Sequence, residues 1–135
     1  MQAGLNLSVS NFVKEEKAIY VSGDLRERLF KFSVDVIKAI RKLPVGPEYK
    51  VITYQLVKSS SSSAANYEEA QAAVSKADFS NKTGISLKEM RESNYWIRLI
   101  LSISDTKENW VRLEDESEQL KKILGSIYSK SSLKR

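Results

Sequence analysis

The chain contains no cysteine and no histidine. Without cysteine there is no disulfide framework, no thiolate metal site and no cysteine nucleophile. Without histidine the commonest general base and the commonest transition-metal ligand are both missing, which excludes a zinc site of the usual kind and a Ser-His-Asp triad. Proline and glycine are sparse, two and five in 135 residues, and so few breakers imply long uninterrupted elements. No apolar run approaches the length of a membrane span. The N-terminus lacks a basic stretch followed by an apolar one, so no signal peptide is read and the expected location is cytoplasmic, without membrane association. No phosphate-binding glycine loop, dinucleotide fingerprint or calcium loop is present. No catalytic residue, cofactor site or metal site is therefore expected, and the chain reads as a non-enzyme.

The residues that are present describe a folded domain. The chain is 41% hydrophobic and 29% charged, ordinary for a globular protein and long enough to bury a core. The net charge is +5 and the isoelectric point is near 9.4. A basic balance favours acidic partners, nucleic acid first.

Residues 1–22 differ from the rest. "LNLSVSNFV" alternates apolar and polar, a strand period, and one short strand cannot stand alone. The segment is read as an N-terminal extension, a tail or a short piece packed on the remainder. From Asp24, a plausible N-cap, the pattern becomes helical. Leu25, Leu29, Phe32, Val36, Ile40 and Leu43 recur at steps of three or four, one helix face. "LPVGP" stops that helix, and Pro47 suits the first turn of the next. The spacing predicts helices over about 24–43, 47–73, 76–104 and 108–129, forming one bundle over residues 23–130, with 131–135 as a frayed tail. Four helices with short connections make an all-α, up-down-up-down four-helix bundle.

"SSSSSAANYEEAQAA", Ser59 to Ala73, looks at first like a spacer. Stepping from Ile52 through Leu56, Ser59, Ser63, Asn66 and Ala70 shows one unbroken helical register, and no glycine or proline lies between Glu48 and Thr83. The serines are therefore read as the interior of a long helix, placed where a neighbour approaches closely. Asn66 falls on the inward line and is expected to be buried and hydrogen-bonded, a device for fixing register. A break at Ser75, where Ser75-Lys76-Ala77-Asp78 resembles a capping box, divides the segment into two helices of bundle length.

The first helix carries a second apolar line, Phe30, Val34 and Ile37. An apolar arc this wide suggests burial on two sides. It suits either a central helix or a helix with one face in an oligomer interface. The remaining arc carries Arg28, Lys31, Lys38 and Lys42, diluted by Glu27 and Asp35. It reads either as a solvated face or as a stripe facing phosphates. The acidic pairs Glu68/Glu69 and Glu89/Glu92 invite a carboxylate-metal reading that would require Glu69, Glu89 and Glu92 to converge. Without histidine the usual bundle-core metal set is unavailable, and solvated faces explain them as well. Aromatic residues mostly sit on inward lines, so the nucleic-acid reading rests on charge. Its rival is a protein-interaction scaffold with no nucleic-acid role.

"FSVDVIKAIRKLP", "YKVITYQLVKSSSSSAANYEEAQAA" and "KADFSNKTGISLKEMRESNYWIRLI" together resemble the four-helix-bundle family of 23S rRNA intervening-sequence proteins. The matching features are the Gln-Leu, basic, serine-rich and Ala-Asn-x-x-Glu run from Gln55 to Glu69, Ser75 before the third helix, Phe79 within it, and the leucine-rich end Leu120 to Leu124. The resemblance covers about residues 25–128. It implies a left-handed up-down bundle assembling into a ring-like homopentamer, with the chain itself as first partner. It also implies RNA, or a nucleic-acid enzyme such as the reverse transcriptase of diversity-generating retroelements, as a further partner. It carries no catalytic residues.

Overall fold

The computed structural model describes residues 22–105 and 107–133. The reading of residues 1–21 lies outside the described residues. Among those described, all regular structure is helical: α1 Ser22–Ile40, α2 Pro47–Gln71, α3 Lys76–Ile103 and α4 Glu108–Leu133. Each helix packs on its neighbours in the chain, and α1 closes the bundle against α4. Side-chain bonds give the directions. Ser59 pairs with Ser93 and Ser63 with Ser86, while Asn94 meets Ser117 and Ser80 meets Ser132. Rising numbers on one helix meet falling numbers on the next, so neighbours are antiparallel and the protein is an up-down four-helix bundle. No described helix is long and apolar enough to cross a membrane.

The helix boundaries follow local chemistry. Pro47 opens α2 in its first turn, where the missing N–H costs nothing. Ser75 caps α3: its Oγ accepts the Asp78 N–H at 3.0 Å, and Asp78 Oδ2 accepts the Val74 N–H at 3.1 Å. Asp78 therefore reaches back as in a capping box, but to the N–H of the residue before the cap instead of that of the cap itself. Two helices end earlier than their apolar periodicity extends. α1 gives way after Ile40 to i→i+3 bonds, Lys42 N to Ala39 O and Leu43 N to Ile40 O. α2 does the same after Gln71, through Ala72 N to Glu69 O and Ala73 N to Ala70 O. Such tightened last turns satisfy carbonyls that a helix end leaves open. α4 instead runs past 129 to Leu133. Ser131 Oγ donates to the Tyr128 carbonyl at 2.9 Å, and Ser132 Oγ lies 3.4 Å from Ser80 Oγ.

The core has two textures. Toward the α1–α2 and α3–α4 connections it is apolar, with Val36, Leu56, Ile97, Ile100 and Leu113 fully buried and Trp110 nearly so. Toward the other end, the α2–α3 contact is lined by hydroxyls. Ser59, Ser63, Ser86 and Ser93 are all buried there, while the buried Ser60 meets Ser33 of α1 and the buried Ser80 meets Ser132 of α4. Ser63 Oγ donates to the Ser86 carbonyl at 2.8 Å and Ser86 Oγ to the Ser63 carbonyl at 2.7 Å, while Ser59 and Ser93 hydroxyls lie 2.8 Å apart. Small side chains let the two backbones come this close, and the hydroxyls then bridge the gap. Thr83 Oγ1 is the buried side-chain oxygen that finds no partner among the described residues.

The serines thus occupy a helix interior, but Asn66 does not behave as expected. It is half-buried, and its amide donates within its own helix, to the Ser62 carbonyl at 2.9 Å and Ser62 Oγ at 3.2 Å. After Ser63 the inward line takes a step of four to the buried Tyr67 instead of a step of three to Asn66. The buried asparagine is Asn94. Its Nδ2 donates to Ser117 Oγ at 2.8 Å, and its Oδ1 accepts from Arg98 Nε at 3.1 Å.

Candidate nucleic-acid interface

The four cations read as one stripe on α1 fall into two groups. Arg28 makes a two-pronged ion pair with Glu116, Nε to Oε2 at 2.8 Å and Nη2 to Oε1 at 2.9 Å, and adds Gln119 Oε1 at 2.8 Å. Lys31 Nζ lies 3.0 Å from Asp35 Oδ2, which also pairs with Arg112 Nη1 at 3.5 Å. The cause is the antiparallel packing of α1 on the acidic first half of α4. Arg28 with Glu116 and Asp35 with Arg112 act as a clasp between the helices, and Lys31 pairs with Asp35 along α1 itself. Partial burial pushes the carboxyl of Asp24 up from its ordinary value, against the opposing pull of Arg28 one turn on.

Lys38 and Lys42 are exposed, and no carboxylate among the described residues comes within ion-pair distance of either. Arg41, Lys50 and Lys58, which the stripe omits, are exposed and unpaired in the same sense. The signal for them is in the sequence. Residues 36–67 hold five basic side chains and one acidic, Glu48, and so carry +4 of the chain's +5. The remainder is nearly balanced. A six-residue connection, 41–46, joins the helices, so the last turns of α1 lie beside the first turns of α2; Lys38, Arg41, Lys42 and Lys50 collect at that end of the bundle, and Lys58 lies halfway along α2.

Two clefts open at this end, of about 420 and 210 Å³, and Leu43, Pro44 and Tyr49 line both. Lys50 lies on the rim of the first and Lys42 on the second. The buried Tyr49 hydroxyl is 3.2 Å from Ser104 Oγ, tying α2 to the end of α3. Ile103, Asp105, Asn109 and Trp110 complete the second cleft.

Other candidate residues are placed as follows. Phe30 is 56% exposed, with Val34 and Ile37 half-buried beside it, an apolar ridge on the outer side of α1. Glu69, Glu89 and Glu92 form no acidic cluster able to hold a metal ion; none occurs among the described residues. Glu92 accepts the Trp96 indole N–H at 3.0 Å, and Glu89 lies 4.0 Å from Lys88. Aromatic residues are less inward than the periodicity suggested. Phe30, Tyr54, Tyr95 and Tyr128 all reach the surface. Arg98 stands 5.9 Å above the Tyr95 ring.

No curated protein matches this chain. A solved structure from Bacteroides thetaiotaomicron, a protein of unknown function from the S23 ribosomal protein family, is similar to it. Identity is 32% and the TM-score 0.70, over 80% of this chain and 97% of that one. The profile of the 23S rRNA-intervening sequence proteins matches residues 24–126, which contain all of the clasp, the basic end and the serine-lined contact. On that match the chain belongs to the 23S rRNA-intervening sequence protein family.

Proposed function

We propose that this protein is a non-enzymatic, cytoplasmic, RNA-binding bundle that works as an oligomer. The observation that carries the reading is the set Lys38, Arg41, Lys42, Lys50 and Lys58 on the α1–α2 hairpin, exposed and without carboxylate partners among the described residues. Lysine and arginine held this way displace counterions from a phosphate backbone and bind it without sequence preference. The family's name, which refers to ribosomal RNA, is consistent with such a partner. RNA itself or an enzyme that carries it would satisfy the same charge.

The assembly we propose is a left-handed bundle repeated in a ring-like homopentamer. A ring needs two different patches on each subunit, one to meet the other on the next copy. The Phe30–Val34–Ile37 ridge on α1 supplies one. Tyr95 and Ile103 on α3 and Val111 on α4, each about half exposed, supply apolar surface elsewhere. Those same residues favour the second reading, a protein-interaction scaffold.

Filter binding to a structured ribosomal RNA fragment at about 50 and 200 mM salt tests the function. Several phosphate contacts make affinity fall by about a hundredfold or more over that range. No binding at the lower salt, or binding indifferent to salt, overturns the RNA reading. A nuclease-insensitive association with protein partners alone would establish the scaffold.

A further inference from the structure

The basic end contains an exposed aromatic ring that neither the clasp nor the core uses. Tyr54 is 65% exposed on the outer side of α2. Lys50 precedes it by four residues and Lys58 follows it by four. Residues four apart share a helix face, separated by about 6 Å of rise, so the ring is bracketed by two cations on one line. Both lysines are exposed and have no ion-pair partner among the described residues. The antiparallel packing of α1 on α2, anchored where Ser33 Oγ donates to the Ser60 carbonyl at 3.0 Å, brings the exposed Lys38 and Arg41 to about the level of Tyr54 along the hairpin. Glu48 is the lone acidic side chain between Asp35 and Glu68, and it sits at the start of α2, a turn and a half below the ring.

We propose that this flank of the α1–α2 hairpin is a binding surface for single-stranded RNA. Tyr54 stacks on one unpaired base, and Lys50, Lys58, Lys38 and Arg41 hold the phosphates on either side. The proposal rests on the RNA-binding reading above and specifies the substrate class. A duplex keeps its bases stacked on one another and offers only phosphates and groove edges. An exposed ring between cations adds nothing there. With a single strand every base has a free face for stacking, which is why aromatic rings interleaved with positive charge are the recurring device for such chains.

The test uses the full chain, a labelled 12-nucleotide oligouridine and a blunt RNA duplex of equal length, read by fluorescence anisotropy. Tyr54→Ala weakens oligouridine binding about tenfold, Tyr54→Phe restores it because stacking needs only the ring, and duplex affinity stays unchanged in both. Lys50→Ala and Lys58→Ala each reduce the slope of log affinity against log salt by about 0.7 on the single strand. If the wild type binds oligouridine and Tyr54→Ala binds it equally, the stacking surface is wrong and the RNA reading stands. If the wild type binds neither RNA at low salt, the RNA reading itself fails and takes the surface with it. An acidic polyglutamate peptide that displaces oligouridine and binds Tyr54→Ala undiminished would make the flank a protein-docking site. Sedimentation gives a further check. A Tyr54→Ala protein that loses its oligomeric state would assign Tyr54 to the subunit contact and overturn the proposal.

Discussion

Asn94 shows what a single buried amide does in this bundle. It is 2% exposed, it donates to Ser117 Oγ, and Ser117 in turn donates to the Glu114 carbonyl at 2.8 Å. Its carbonyl accepts from Arg98 on its own helix. Removing it leaves Arg98 without that acceptor and opens space beside a hydroxyl on α4. Asn66 has no comparable role, because its bonds stay within one turn of α2 and water reaches it. Asn94→Ala is expected to cost about 1–3 kcal/mol and Asn66→Ala about 0.5 kcal/mol or less, compared by urea melts. Equal losses would mean that the crossing between helices, and not burial, is misassigned. The two asparagines also show why sequence periodicity falters here. A helix repeats every 3.6 residues, so after Ser63 steps of three and four both stay near the inward line. Only the packing of Tyr67 decides between them.

At the scale of the element, the start of α3 depends on charge as well as on hydrogen bonds. The Asp78 carboxyl is held below its ordinary value of 3.8, first by the hydrogen bond from Lys82 and then by the one from the Val74 N–H. A lowered folded-state value means that the ionised form stabilises the fold above the ordinary value. That stabilisation disappears as pH falls from about 4 through the lowered value. Asn at this position keeps an oxygen for the Val74 N–H but loses the charge. The gap in stability between wild type and Asp78→Asn is therefore expected to be widest at neutral pH and to close in acid. Melts at about pH 7, 5 and 3 read it directly, and a gap that does not vary with pH would show that the charge contributes nothing. This boundary was legible from the Ser-x-x-Asp spacing, as the next helix was from Pro47, since both signals are local. The clasp was not. Arg28 reads as part of a free stripe because its partner Glu116, like the Arg112 that meets Asp35, depends on α1 lying antiparallel to α4, whereas the Lys31–Asp35 pair one turn apart on α1 is local.

For the molecule as a whole, the decisive quantity is what covers the outer side of α1. Phe30, Val34 and Ile37 were singled out from the width of the apolar arc, and the bundle leaves Phe30 more than half exposed. Phe30→Asp places a charge on the ridge without touching the core. In sedimentation velocity at micromolar concentration, the wild type is expected to run as an oligomer and Phe30→Asp as a monomer with unchanged helix content. A wild-type monomer at that concentration would remove the ring from the proposal. Charge at this scale is visible in the sequence as a local excess over residues 36–67, but not as a surface. Its concentration on the α1–α2 hairpin appears once residues 36–67 are folded back on themselves, because all but one of the acidic side chains lie outside that segment.

The hydroxyl-lined contact between α2 and α3 also shapes how the fold responds to temperature. Unfolding raises the heat capacity in proportion to the apolar surface it exposes and lowers it for the polar surface. A helix pair joined by Ser59, Ser63, Ser86 and Ser93 exposes little hydrocarbon when it separates. The heat-capacity increment of this bundle should therefore fall below that of a leucine-packed one of equal length, and its stability curve should be flatter. Such a protein gives up peak stability near room temperature but keeps nearly the same margin over a wider thermal range.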